Sequence, residues 1–232
     1  MIKSEKPPND TSGIIIKYLV FGIAMAYLES AVVVYLRLLY YPEGFRFPLK
    51  ITTPPITIIE MGREAATLVM LWFAAEMSYR QFKEKFALFI FTFGVWDIFY
   101  YVWLKIFQNW PVSMFDWDVL FLIPVPWSSP WLAPVLFSTA LIFAAILILY
   151  YPERFAEKIL KKEEWIVEFF CAALIMLTFF WNTLSILKGR TPDDYQWWLF
   201  LSAIIVGLLI FLRHFSGSRQ LNSEAKKDIN EG

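Results

Sequence analysis

The sequence predicts an all-α membrane protein, a polytopic bundle of six transmembrane helices with both termini cytoplasmic. Three observations predict it. The 232 residues are 58% hydrophobic and 19% aromatic, against about 45–50% apolar in a soluble domain. The apolar residues gather in runs of roughly 20, the length that crosses a hydrocarbon core. Lys and Arg also sort by segment. The N-terminus through Lys17, 80–85, 152–164 and the C-terminus from Arg213 hold 3, 3, 4 and 4 of them, whereas 42–54, 108–132 and 188–196 hold 2, 0 and 2. Basic residues stay on the cytoplasmic side, so the sequence reads as a multi-pass protein of the plasma (inner) membrane.

The elements follow in order. Residues 1–12 are polar, contain Pro7-Pro8 and read as a disordered N-terminus. Lys3 and Lys6 before an apolar run, with Ala24-Met25-Ala26, resemble a signal peptide and its cleavage site. Lys17 interrupts that run, which continues to Leu36, so a retained first helix over 14–40 is expected. Lys17 and Arg37 lie near its ends, where they can snorkel to the interfaces. Tyr40-Tyr41-Pro42 stops it. Thr52-Thr53-Pro54-Pro55 opens a second helix, 55–78, and the basic turn 80–85 leads to a third, 86–107. Helices at 133–150, 165–187 and 197–212 complete a single membrane domain over 13–215. The polar tail 216–232 reads as disordered.

The segment between the third and fourth helices is unlike the rest. Pro111, Pro124, Pro126, Pro130 and Pro134 forbid one continuous helix. The apolar piece 119–127 is too short to span. It is expected to lie on the membrane surface or to enter the bundle, and entry demands protein or water around its backbone.

Composition excludes several functions. Cys171 is the one cysteine, which rules out an intrachain disulfide and a Cys-ligated cluster. His214 is the one histidine, which rules out a haem held by two histidines within one chain. The formal net charge is +0, so bulk charge favours no nucleic-acid partner. The expected partners are the lipid bilayer and either further copies of the chain or a larger membrane complex.

The second helix carries the chemistry. Glu60, Arg63 and Glu64 are spaced to share one helix face, inside an apolar stretch where a lone charge costs several kcal/mol. Glu29 and Asp97 sit near the middles of the first and third helices. Short connections make these three helices neighbours. The expectation is an ion- or ligand-binding pocket of Glu29, Glu60, Arg63, Glu64 and Asp97. Its rim would be Trp96, Tyr100, Tyr101, Trp117, Asp118 and Trp127, lidded by the Pro/Trp segment. The bland reading is a buried ion cluster, with Glu29 protonated beside Asn182 or a tyrosine and Asp97 accepting hydrogen bonds from a neighbouring Tyr or Trp.

Four carboxylates against one arginine leave negative charge that protons, a divalent metal on Glu29, Glu60, Glu64 and Asp97, or a cationic ligand must relieve. Three functions compete. One is binding or translocation of a cation or proton. The second is an enzyme on a lipid-soluble substrate using the acids as metal ligands or acid and base; no catalytic residue is identifiable. The third is a non-catalytic subunit or assembly factor. Leu39-Tyr-Tyr-Pro-Glu-Gly-Phe45 also resembles Leu149-Tyr-Tyr-Pro-Glu-Arg-Phe155. Inverted halves, as in many transporters, are one explanation; recurrence of an aromatic-plus-proline helix stop is the other.

Overall fold

The computed structural model describes residues 10–50, 54–155 and 162–231, with side chains through 216. It is mostly helical. In order come α1 (Thr11–Tyr40), α2 (Pro54–Glu76), α3 (Phe82–Gln108), β1 (Trp117–Phe121), β2 (Trp127–Pro130) and α4 (Leu132–Tyr150). A 3-10 turn (Pro152–Phe155), α5 (Lys162–Phe180), α6 (Thr183–Leu187) and α7 (Trp197–Glu231) follow. Among the described residues, five segments are long and apolar enough to cross a membrane: α1, α3, α4, α5 with α6, and α7 to Ser216. The sixth expected span, α2, is long enough but is interrupted by charge.

The helix ends follow local chemistry. Asp10 caps α1 by accepting from the Gly13 N–H at 2.8 Å. The helix therefore begins inside the N-terminal stretch expected to be disordered, of which 1–9 lie outside the described residues. Thr52-Thr53 and residues 156–161 of the 152–164 linker lie outside them as well. Pro54, Pro55 and Pro134 occupy first turns, where the missing N–H costs no helical bond. At the other end of the chain α7 runs through the polar tail to Glu231, in place of the expected disorder; Ala, Lys, Gln and Glu there are good helix formers.

Tyr41 and Tyr151 end α1 and α4 with nearly the same backbone, φ −132°, ψ 60° and φ −131°, ψ 52°. The proline after each forces this exit from the helix. The next turn is also shared: Gly44 N–H bonds Tyr41 O at 2.9 Å, and Arg154 N–H bonds Tyr151 O at 3.1 Å. The Leu-Tyr-Tyr-Pro-Glu-x-Phe resemblance is thus a common helix stop. It does not extend to the packing of the halves, because α1 lies along α3 whereas α4 and α7 scarcely meet.

Successive long helices alternate in direction. Paired contacts fix this: Glu29 meets Arg63 while Tyr18 meets Ser78, Glu76 meets Lys85 while Trp72 meets Phe89, Tyr101 meets Trp131 while Gly94 meets Ile142, and Phe179 meets Phe200 while Glu168 meets Gly207. The close packing uses small residues, as in membrane bundles. Gly22, Ala26 and Ser30 recur every four residues on the buried face of α1. A Cβ at Gly22 would sit 3.2 Å from the Thr92 carbonyl oxygen of α3. On the other face of α3, a Cβ at Gly94 would sit 2.9 Å from Ser138 O and 2.8 Å from Ile142 Cγ1.

The Pro/Trp segment is a two-stranded antiparallel hairpin, pairing Asp118 with Ser129 and Phe121 with Trp127. It enters the bundle. The Phe121 ring stacks on Phe93 at 6.4 Å and 11°, and Phe93 lies about 22 Å down α3 from Gln108 at 1.5 Å per residue. Trp127 packs on Phe180 at 5.0 Å, and Trp117 on Tyr195 at 6.0 Å. Side chains of α3, α5 and the loop before α7 therefore pack against the hairpin.

Gly94→Ala should lower stability by about 1–3 kcal/mol, because its methyl meets backbone oxygen that cannot rotate away. Gly62→Ala, with nothing within 4 Å of its Cβ, should be neutral or stabilising by up to about 1 kcal/mol. Thermal unfolding in detergent checks the pair; equal midpoints would refute the close α3–α4 contact.

Candidate functional site

The site is built on one face of α2. Glu64, Thr67, Leu71 and Ala75 are its buried residues, spaced as a helical stripe. Glu60 and Arg63 flank that stripe. Arg63 bonds two acids: its Nη1 donates to Glu29 Oε1 on α1, and its Nε and Nη2 lie 2.8 Å from Glu60 Oε2. Glu29 therefore pairs with arginine. Asn182, its alternative expected partner, holds the backbone of Asp193 instead.

Glu64 has a different partner. Both of its carboxylate oxygens accept from the backbone N–H of Leu122, at 3.1 and 2.8 Å. Leu122 directly follows β1, so an acid of α2 holds the inner end of the hairpin. A second hold comes from α6, where Thr183 Oγ1 donates to Pro126 O at 2.7 Å. Asp97 of α3 accepts from Ser138 Oγ of α4 at 2.8 Å. Among the described residues, neither Glu64 nor Asp97 has a Lys, Arg or His nitrogen within 4.0 Å.

A cavity of about 50 Å³ lies where these helices meet. Glu29, Arg63, Glu64, Trp96, Asp97, Tyr100 and Tyr101 line it, with Val33, and Val119 and Leu120 of β1. The Trp96 indole N–H is buried there without an acceptor in the protein. Of the expected pocket, Glu29, Arg63, Glu64 and Asp97 thus reach one cavity, and Trp96, Tyr100 and Tyr101 lie on its wall. Glu60 stands behind Arg63. Of the two tryptophans expected on the rim, Trp117 packs in the hydrophobic cluster of α5 and α7, and Trp127 packs both there and in the cluster that holds Trp96 and Phe121.

Asp118 is also away from the rim, because it is paired. Arg37 Nη2 donates to its Oδ1 at 2.9 Å, and the two residues are only 5% and 2% exposed. The Arg37 guanidinium lies 4.2 Å from the Phe45 ring centroid and 3.9 Å from that of Trp110. Arg37 was expected to snorkel to the interface. The hairpin folding back over the end of α1 buries it. No local sequence signal marks that contact; the clue available was an unpaired Asp118 beside Trp residues. The Leu122 amide and Ser138 were equally invisible, since one is backbone and the other a lone hydroxyl.

The acids do not form a cage for a metal. Among the described residues no three His, Cys, Asp or Glu side chains converge on one point. Arg63 bridges Glu29 and Glu60, and Leu122 takes both oxygens of Glu64. The chain matches no family model, no curated protein and no solved structure, so the site is read from its own geometry.

Arg63→Met should destabilise the protein by about 3–5 kcal/mol, since it leaves two enclosed carboxylates without a partner. Arg46→Met, which breaks the exposed pair with Glu43, should cost less than about 1 kcal/mol. Thermal unfolding of the two variants side by side checks this. Equal losses would mean that Arg63 is solvated.

Proposed function

We propose that the chain crosses the plasma membrane six times, with both termini cytoplasmic, and that its α1–α3 cavity binds and passes protons. The observation that carries this reading is the pair Glu64 and Asp97. Both face one cavity of about 50 Å³, and neither has a cationic partner among the described residues. Five acids meet there or next to it, Glu29, Glu60, Glu64, Asp97 and Asp118. Two arginines, Arg63 and Arg37, contact three of them. In a low-dielectric bundle the remaining two must take up positive charge, and the proton is the smallest form of it.

The cavity size separates this reading from the enzyme reading. A water needs about 10–15 Å³ of such space, so the cavity suits a few waters and a proton. Pockets for organic ligands run to about 300–1,000 Å³, which favours a small ion over a lipid or quinone headgroup. A complex-subunit reading calls on a partner's basic residue to neutralise the cluster. Arg63 and Arg37 already supply that role for Glu29, Glu60 and Asp118. Protonation of Glu64 or Asp97 from one side and release to the other would move the charge.

The test is proton flux into vesicles loaded with a pH-sensitive dye, under a potassium diffusion potential. The wild type should acidify them well above empty vesicles. Asp97→Asn and Glu64→Gln should lose about tenfold or more of that rate, because an amide of the same shape carries no transferable acid proton. In Glu64→Gln the side-chain oxygen still accepts from Leu122, so the hairpin stays in place. Wild-type flux at the level of empty vesicles, or both variants at the wild-type rate, contradicts the reading.

A further inference from the structure

We infer that Asp118, in its pair with Arg37, is a second proton-carrying carboxyl in series with the cavity, reached through the hydroxyls of Tyr100 and Tyr101. This rests on the proton-passing reading above and extends its path toward the hairpin side of the bundle.

The pair is not built as a structural ion bridge usually is. Arginine and carboxylate favour two parallel hydrogen bonds. Here only Nη2 and Oδ1 are joined, at 2.9 Å. Arg37 Nη1 and Asp118 Oδ2 are each buried with no hydrogen bond. An uncompensated polar atom at that depth is costly, so the free oxygen stands as a place for a proton to land.

The neighbours give the route. Tyr100 and Tyr101 line the cavity beside Asp97, one turn further along α3, and both lie close enough to Asp118 to interact with its carboxyl. Val119 and Leu120, the residues after Asp118 on β1, form part of the cavity wall. Asp118 is therefore one layer beyond the cavity. On its other side Arg37 sits in the corner made by the edge-to-face rings of Phe45 and Trp110, at 4.2 and 3.9 Å, and both rings are half-buried. That aromatic corner lies toward the hairpin-side surface. The charged and titratable groups facing Asp118 are Arg37 from α1 and Asp97, Tyr100 and Tyr101 from α3, with the Val119 N–H of its own strand.

The step is a proton hop. The carboxylic acid of Asp97 gives its proton to a tyrosine hydroxyl oxygen as that hydroxyl's own hydrogen passes to Asp118 Oδ2. Asp97 is left as a carboxylate, Asp118 as a neutral acid, and the tyrosine is unchanged. Arg37 keeps its charge, now against two aromatic faces that attract a cation. Loss of the proton from Asp118 to water on the hairpin side restores the ion pair. Nothing is oxidised or reduced.

The experiment is the same vesicle flux on the full chain, with Asp118→Asn, the double variant Arg37→Gln/Asp118→Asn, and Tyr100→Phe/Tyr101→Phe. Asp118→Asn alone strands a buried arginine and risks misfolding. The double variant removes both charges together, so that neither is left buried and unpaired, and its thermal unfolding midpoint verifies the fold. All folded variants should conduct about tenfold or more slower than wild type. Acidification of the wild type should also raise an infrared carboxylic-acid band that the double variant lacks, a signal a permanently ionised structural pair does not give. A folded double variant conducting within about twofold of wild type overturns this inference alone. Wild-type flux at the level of empty vesicles overturns the proton reading and this inference together.

Discussion

A strand ladder inside a helical bundle must hide its backbone. Water is scarce there, and each unsatisfied N–H or C=O costs several kcal/mol. The hairpin β1–β2 has only two strands, so both of its edges need partners from the helices. This constraint explains residues that look unrelated in the sequence. Glu64 gives both oxygens to the Leu122 N–H and Thr183 gives its hydroxyl to Pro126 O, while Arg37 holds the side chain of Asp118 on β1. The aromatic rings of α3 run toward the same place, from Phe82 through Phe86, Phe89 and Phe93 to Trp96, and end on Phe121. The charged α2 and the Pro/Trp segment are thus two parts of one structure.

That arrangement also accounts for the chemistry. Covering the hairpin requires acids and arginines in the bundle, and their charges do not balance locally. Arg63 is shared by Glu29 and Glu60, and Arg37 is used by Asp118. Glu64 and Asp97 are left with neutral donors only, Leu122 N–H and Ser138 hydroxyl. Of the two, Glu64 anchors the hairpin and Asp97 ties α3 to α4, so the candidate site shares its residues with the packing. Small residues such as Gly22, Ala26 and Gly94 let the helices approach closely enough to keep the remaining space near the size of a few waters.

The sequence made the helices legible because their signals are local. Run length, proline stops and Lys/Arg placement each need only neighbouring residues. The acids were legible for a similar reason: Glu29, Glu64 and Asp97 in apolar runs demand an explanation wherever the chain folds. The hairpin was harder. Trp117-Asp-Val-Leu-Phe121 lacks the apolar–polar alternation of a half-solvated strand, because both of its faces are covered. Arg37 was misread because its distance from the end of α1 fits snorkelling, and only a non-local contact buries it. Trp117 and Trp127 were placed on the pocket rim by proximity in the chain; Trp117 packs toward α5 and α7, and Trp127 lies between that cluster and the one of Trp96 and Phe121. The Leu-Tyr-Tyr-Pro repetition is a real local likeness, produced by the same steric effect before a proline, without a matching likeness in packing.

The most direct test of this account is amide hydrogen exchange across residues 119–127, in wild type and in Glu64→Ala. The account predicts slow exchange at Leu122 in the wild type, as slow as in the buried part of α3. Removing the acceptor should speed exchange at Leu122 and its neighbours and leave the middle of α3 unchanged. Exchange across 119–127 that is already as fast in the wild type as in the 188–196 loop would contradict a hairpin held inside the bundle by Glu64.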